Sequence, residues 1–336
     1  MAAARVTAPG RVILPYACSV SMNSVLPVRR VVIGQNAHAA MTRLITASRP
    51  DLEIRGNVFT EISGEDLAWA DAYIGFKRPP LPTMGNVRWV QSTGAGVDSW
   101  LQPVELSRDI VLTRTPESFG PMIAEWALSR ALAFVTQIVE LASAQRERKW
   151  APGDIGMLRG THAVVVGTGD VGTQVGRLFA ALGCTVTGVS RTGRGDSAVF
   201  ESVHTSDQLA SVVSTADWVI LTLPLTPETR GLVNESVLRA CNGAVLMNAG
   251  RGAVIDESVL PRALDEGWIR GAALDVFEVE PLPATSPLWD HPRVMISPHV
   301  SGLTTIDGAV NGFLECLAQF ERGETPRWIV DRDRGY

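Results

Sequence analysis

The chain has 336 residues, more than one average domain, and is 46% hydrophobic with 19% charged residues, the balance of a globular protein with a sizeable core. A formal charge of −5 and an isoelectric point near 5.6 count against nucleic acid or an anionic membrane as the main partner. The cysteines Cys18, Cys184, Cys241 and Cys316 are scattered, with no C-x-x-C pair, so neither a metal site nor a disulfide framework is expected and a reducing, cytoplasmic compartment fits. No run of about 18 apolar residues marks a membrane span.

Residues 1–27 carry no clear element. Val12–Val20 is weakly apolar behind Arg5 and Arg11, a faint echo of a signal peptide, but Pro15 and polar residues interrupt it. Met22 lies shortly before the first clear strand. Translation is expected to start there, leaving the N-terminal stretch as a disordered or spurious extension. From residue 30 strands and helices alternate. Arg30–Gly34 reads as a strand and His38–Ala47 as a helix, followed by strands at Glu53–Val58, Ala72–Phe76 and Val87–Gln91. Such alternation predicts a parallel sheet with crossover helices. Pro121–Arg148 reads as one long helix. Ile123, Ala127, Ala131, Phe134, Ile138 and Leu141 share one face, while Leu128, Leu132, Val135 and Val139 make a second. A helix apolar on two faces is expected to be buried on both, either between domains or in a subunit interface.

The most informative stretch is Thr161–Arg194. The apolar run Ala163–Val166 meets Gly167, Gly169 and Gly172 in G-x-G-x-x-G spacing, a helical segment follows, and a second β-rich run spans Cys184–Val189. The first glycine permits a tight strand-to-helix turn, the second lets backbone approach a pyrophosphate, and the third lets helix and strand pack closely. The helix N-terminus, at Asp170 and Val171, then aims unpaired N–H groups and a positive dipole end at the phosphates. With a strand before and a helix after, the pattern predicts a dinucleotide site. An NAD site would place a carboxylate near the end of the second run. Here Ser190, Arg191, Thr192 and Arg194 stand there, with no acid before Asp196. That predicts NADP(H), whose 2′-phosphate an arginine accommodates, with NAD(H) as the weaker ligand.

Further strands are expected at Trp218–Leu223, Gly243–Met247, Ala272–Val276 and Val294–Ile296, and a helix at Thr304–Gln319. The fold class predicted is α/β: two Rossmann-like domains, each a doubly wound parallel sheet, with a cleft between them. Residues 28–119 plus 303–336 would form a flavodoxin-like substrate domain, and residues 120–302 the NADP-binding domain.

Three segments carry polar residues just past predicted strands, where ligands of open α/β sheets bind. They are Asn248–Gly252 (NAGRG), Leu274–Pro281 (LDVFEVEP) and Ser297–Gly302 (SPHVSG). Together with Leu221–Gly231 (LTLPLTPETRG) and Ser92–Asp98 (STGAGVD), they resemble the D-isomer-specific 2-hydroxyacid dehydrogenases, over nearly everything from residue 30 to 320 and in the same order.

The resemblance implies a reaction and roles. Arg251 matches the substrate-binding arginine, whose fork can hold a carboxylate and polarise the neighbouring carbonyl. His299 matches the acid/base histidine, able to give a proton in reduction and take one in oxidation. Glu280 matches the histidine's carboxylate partner, with Glu278, two residues earlier, as the competitor that extended-chain spacing alone does not eliminate. Asp275 resembles a residue on the nicotinamide side of the cofactor, with loop capping as the alternative. Ser92–Gly96, with Gly94, Ala95 and Gly96 at its centre, fits a loop whose backbone N–H groups grip the substrate carboxylate, the glycines permitting the positive-φ conformations of an anion nest. Leu223-Pro224 resembles the segment under adenine and ribose, and Ala249 and Arg251 border the cofactor. Lys77 and Arg78 could add positive charge at the cleft mouth. The expected activity is NADPH-dependent reduction of a small 2-oxo acid to its D-2-hydroxy acid, glyoxylate and hydroxypyruvate being first choices, in a homodimer without metal. The alternatives are a 3-phosphoglycerate dehydrogenase activity and a non-enzymatic cofactor-sensing protein on the same fold.

Overall fold

β-Branched and apolar residues dominate the inner strands, which are buried on both faces, as parallel strands covered by helices require, while three edge strands (53–57, 202–205 and 294–296) are half-buried or exposed. The computed structural model describes residues 27–102, 104–116 and 119–336; the expectations for residues 1–26 fall outside them. In chain order the first unit holds β1 (Arg30–Gly34), α1 (His38–Ser48), β2 (Glu53–Asn57), α2 (Gly64–Trp69), β3 (Ala72–Gly75), β4 (Trp89–Ser92), α3 (Asp98–Leu101) and β5 (Val111–Thr113). Its five strands lie in the order β2-β1-β3-β4-β5, every pair parallel. The expected strand at Val87–Gln91 begins two residues later, at Trp89.

α4 (Phe119–Thr136) and α5 (Ile138–Arg146) lead to the second unit. There follow β6 (His162–Val166), α6 (Asp170–Ala181), β7 (Thr185–Ser190), β8 (Ser202–Thr205), α7 (Leu209–Val213), β9 (Trp218–Leu221), α8 (Glu235–Ala240), β10 (Ala244–Asn248), α9 (Leu260–Asp265), β11 (Ile269–Leu274) and β12 (Val294–Ile296). The seven strands run β12-β11-β10-β9-β6-β7-β8. The order reverses between β9 and β6, and that is where the crevice of a doubly wound sheet opens. α10 (Ile306–Glu321) crosses back, and its Phe313 and Phe320 rings pack on Trp89 at centroid distances of 5.0 and 4.9 Å. The first unit is therefore built from two separate stretches of chain.

The single helix expected over 121–148 is two helices bent by 60°. Gln137 breaks it, at φ 50° and ψ 37°, and its amide donates to the Asp154 carbonyl at 3.0 Å. Val135, Thr136, Ile138 and Val139 around the break are β-branched and resist helix propagation. Burial falls off along the chain: Ile123, Ala127 and Ala131 are buried and Leu128, Phe134 and Val135 pack partly against the same core, whereas Leu132 and, past the break, Ile138 and Val139 are exposed. Among the described residues no single helix is long and apolar enough to cross a membrane. Cys184, Cys241 and Cys316 are unpaired and buried, and burial pushes the Cys241 and Cys316 thiols up to about 12, so both stay protonated as core filling.

Candidate active site

The Gly-rich turn joins β6 to α6. Gly167 sits at φ +108°, a conformation only glycine takes without strain, and a Cβ at Gly172 would lie 1.7 Å from the Gly167 carbonyl oxygen. A Cβ at Gly169 would meet nothing within 4 Å. The turn therefore needs its outer glycines for its own geometry, while the middle one leaves open space. That is the cradle a pyrophosphate requires, so these residues fit a dinucleotide. Asp170 begins α6, its carboxylate 3.9 Å from the Arg114 guanidinium of the first unit, and Val171 packs into the core beneath.

At the end of β7 the Ser190 hydroxyl accepts from Arg194 N at 3.0 Å and donates to Arg194 O at 2.9 Å, with Gly193 at φ +65° closing the turn. Ser190 thus shapes the turn, and Arg191 and Arg194 stand exposed upon it. Leu223 and Pro224 follow β9. Leu223 lies beside Gly167, and its carbonyl packs against Gly250, where a Cβ would come within 2.6 Å. Ala249 N donates to the Leu221 carbonyl, and Asn248 accepts from Gly250 N and donates to Arg251 O, so the loop after β10 is held from within.

On that loop Arg251 points across the cleft. Its Nε donates to Asp98 Oδ1 at 2.9 Å and its Nη1 to the Gly250 carbonyl at 2.8 Å. A Cβ on Gly96 would lie 1.7 Å from Nη2, so the guanidinium rests directly against the Gly96 backbone. Gly94 likewise has no room for a Cβ, which would come within 2.5 Å of the Phe76 ring. The expectation of positive φ in this loop is corrected here. Neither Gly94 nor Gly96 has it, and both are there for close approach. Ala95 joins them, its carbonyl accepting from Arg114 at 3.4 Å. Lys77 lies over the Phe59 ring and Arg78 donates to the Val104 carbonyl.

Glu280 Oε2 lies 2.7 Å from His299 Nδ1, while Oε1 accepts from Phe277 N at 3.0 Å. Glu278 instead uses its N–H on Glu257, so of the two glutamates it is Glu280 that meets the ring. Burial alone would raise the Glu280 carboxyl. The hydrogen bonds from His299 and Phe277 N–H, with the charges of His299 and Arg251, outweigh it and hold the group below the usual range. Gly252, next to Arg251, packs on the backbone before Glu280, where a Cβ would lie 1.8 Å from the Phe277 carbonyl carbon, so the arginine loop and the glutamate loop adjoin.

His299 has φ 54°, in the left-handed region that costs roughly 1–2 kcal/mol for a residue with a Cβ. Asp275 holds it there. Fully buried, Asp275 Oδ1 accepts from Ser297 Oγ at 2.5 Å and from Val300 N at 3.0 Å, Oδ2 accepts from Ser301 N at 2.9 Å, and its carbonyl accepts from His299 N at 2.8 Å. Both carboxylate oxygens are thus turned to the histidine loop, so Asp275 caps that loop. The Trp126 indole on α4 donates to Ser297 Oγ at 3.0 Å, extending the clamp. Sequence reasoning passed over Asp98, Asn248 and Ser297, although each lies inside a quoted motif. Among the described residues no cluster of His, Cys, Asp and Glu could hold a metal.

Two parallel sheets, a Gly-rich dinucleotide turn and a histidine–carboxylate pair beside an arginine fork define an NAD(P)-dependent oxidoreductase acting on a CH–OH group. The chain belongs to the D-isomer specific 2-hydroxyacid dehydrogenases, a family acting on small 2-oxo and 2-hydroxy acids: residues 128–301 match its NAD binding domain. It is 33% identical over 269 residues, 77% of this chain and 86% of the relative, to glyoxylate/hydroxypyruvate reductase A of Serratia proteamaculans. Among solved structures it resembles a D-isomer specific 2-hydroxyacid dehydrogenase of Xanthobacter autotrophicus Py2 in complex with NADPH and MES (TM-score 0.82, 31% identity, 92% of this chain and 100% of that one). It also resembles the NADPH-dependent glyoxylate/hydroxypyruvate reductase of Sinorhizobium meliloti in complex with NADP and sulfate (TM-score 0.81, 27% identity, 92% and 100%).

Proposed function

We propose that this protein reduces a small 2-oxo acid of the glyoxylate and hydroxypyruvate class to its D-2-hydroxy acid, using NADPH in preference to NADH. The convergence of the Arg251 fork with the Glu280–His299 pair carries this reading. Arg251 and the backbone of Gly94, Ala95 and Gly96 hold the substrate carboxylate, His299 donates the proton to the carbonyl oxygen, and Glu280 keeps the ring oriented through Nδ1. When bound, the nicotinamide supplies the hydride. Gly167, Gly169, Gly172 and the first turn of α6 at Asp170 and Val171 hold the pyrophosphate, with Leu223, Pro224 and Ala249 lining the crevice. We place the domain boundaries near residues 119 and 302, with closure of the cleft excluding water.

For the cofactor, the exposed Arg191 and Arg194 at the end of β7 support NADP, as do the NADPH and NADP bound to the Xanthobacter and Sinorhizobium proteins. Turnover of a 2-oxo acid panel with NADPH and NADH in parallel tests the whole reading. A preference for NADH overturns the cofactor assignment, and no turnover overturns the activity. Arg191→Ala raises the KM for NADPH about 10- to 100-fold, the worth of one charged hydrogen bond, with little change for NADH.

The exposed Leu132, Ile138 and Val139, with the exposed Trp150 and Met157 on the segment that follows α5, support a homodimer formed through the α4–α5 region. Light scattering then gives twice the 36.1 kDa of the chain, and Val139→Asp shifts it toward the single-chain mass. A cytoplasmic location accords with the three buried free thiols.

A further inference from the structure

The Arg251 guanidinium has a fixed partner on the opposite sheet. Asp98 opens α3 in the first unit, and its Oδ1 lies 2.9 Å from Arg251 Nε and 2.8 Å from Nη2. The carboxylate is not used as a helix cap, because the N-cap of α3 is Val97 and no side chain caps that end. A guanidinium has five N–H donors. Nε and one N–H of Nη2 go to Asp98 and one N–H of Nη1 goes to the Gly250 carbonyl, which leaves one N–H on each Nη. The bare backbone of Gly96 is what lets the guanidinium reach Asp98 at all.

We propose that Asp98 is a positioning residue for Arg251. It fixes the fork across the cleft so that the remaining Nη donors face the substrate's carboxylate and 2-oxo oxygen. This rests on the reading of Arg251 as the carboxylate clamp. A long arginine side chain loses rotamer freedom when it grips a ligand, and that loss is subtracted from binding. Asp98 freezes the side chain beforehand. The pair also spans the two units, so the fork is aligned only when the loop of the first sheet has come up to the loop after β10. Closure and alignment of the clamp become one event.

Asp98→Ala, Asp98→Asn, Arg251→Ala and the double variant Asp98→Ala/Arg251→Ala test this with hydroxypyruvate and NADPH. Asp98→Ala raises the hydroxypyruvate KM about 10- to 50-fold, while the KM for NADPH and the Tm stay near the parent values. Asp98→Asn, which keeps an acceptor oxygen, restores most of the loss. Oxamate, a carboxylate that cannot be reduced, ranks the variants in the same order by its dissociation constant on the protein–NADPH complex. In the double variant the Asp98→Ala effect vanishes, because it acts through Arg251. An unchanged hydroxypyruvate KM in Asp98→Ala overturns the proposal. So do effects of the two single changes that multiply, or a KM for NADPH and a Tm that move in step with the substrate KM. If Arg251→Ala itself leaves the hydroxypyruvate KM unchanged, the clamp reading fails and the role of Asp98 falls with it. An impaired Arg251→Ala beside a normal Asp98→Ala refutes the role of Asp98 alone.

Discussion

Replacing His299 with alanine lowers kcat for 2-oxo acid reduction by about 10²- to 10⁴-fold, the usual worth of a positioned general acid, while the KM for NADPH changes little. The ring is carried on a loop that no cofactor contact is needed to shape. Asp275 fixes that loop through Ser297, Val300 and Ser301, and Glu280 Oε2 fixes the ring through Nδ1. Removing the imidazole therefore deletes the proton donor and leaves the crevice intact. A kcat within a few-fold of the parent would remove His299 from the mechanism. Glu280→Gln sharpens the test. The amide can still meet Nδ1 but carries no charge, so kcat for reduction falls while the KM for NADPH stays near the parent value. The Glu280 carboxyl lies below its ordinary value, so its carboxylate is complete above that value, and the negative charge facing His299 is lost only as pH falls through the lowered one; a limb of kcat/KM on the acid side of the ordinary carboxylate range is present in the parent and absent from Glu280→Gln.

The second large effect is at the dinucleotide turn. Gly172→Ala places a Cβ 1.7 Å from the Gly167 carbonyl oxygen and 2.9 Å from Thr222 Oγ1. The first obstacle is backbone and cannot swing aside, so either α6 moves off β6 or the turn opens, an overpacking cost of about 1–3 kcal/mol or more. Displacing the start of α6 also removes the aligned N–H groups that an anion needs. The variant loses thermal stability, and its dissociation constant for NADPH rises more than about tenfold. Gly169→Ala is the control, because its Cβ meets no atom within 4 Å and its φ is −78°. It keeps the parent Tm, and any weakening of NADPH binding then comes from methyl against cofactor. If Gly172→Ala binds NADPH as tightly as the parent, the turn is not the cofactor's seat.

Much of this architecture is legible in the sequence because parallel strands buried on both faces announce themselves. Arg30–Gly34 coincides with β1, Trp218–Leu223 starts where β9 does, and the G-x-G-x-x-G spacing locates the β6–α6 turn. Two strands went unseen, β8 and β5. β8, Ser202–Thr205, is a polar edge strand paired only with β7 and has no hydrophobic period to read, whereas β5 is buried and its apolar run Ile110–Leu112 was there to be read. The break at Gln137 escaped because periodicity continues across it, and what makes the bend is a side-chain bond to Asp154. The candidate site was legible as residue types in order, since Arg251, Glu280 and His299 all stand past strand ends. Its wiring was not. Asp98 meets Arg251 across 153 residues and Asp275 meets Ser301 across 26, and no local pattern encodes such partners. The glycines of the 94–96 loop show the limit most clearly, for a glycine required by a neighbour's atoms reads the same as one required by its own φ.

The backbone of His299 has a consequence for redesign. The left-handed conformation is held by a carboxylate buried under the second sheet, so the geometry of the acid is anchored in the core and independent of the walls of the cleft. The loop that faces Arg251 from the other side, residues 92–98, belongs to a different sheet with its own core around Trp100 and Tyr73. Substitutions in that loop at positions other than Gly96 and Asp98, which seat Arg251, can reshape the cleft without disturbing the histidine loop, so one half holds His299 constant while the other varies in what it admits.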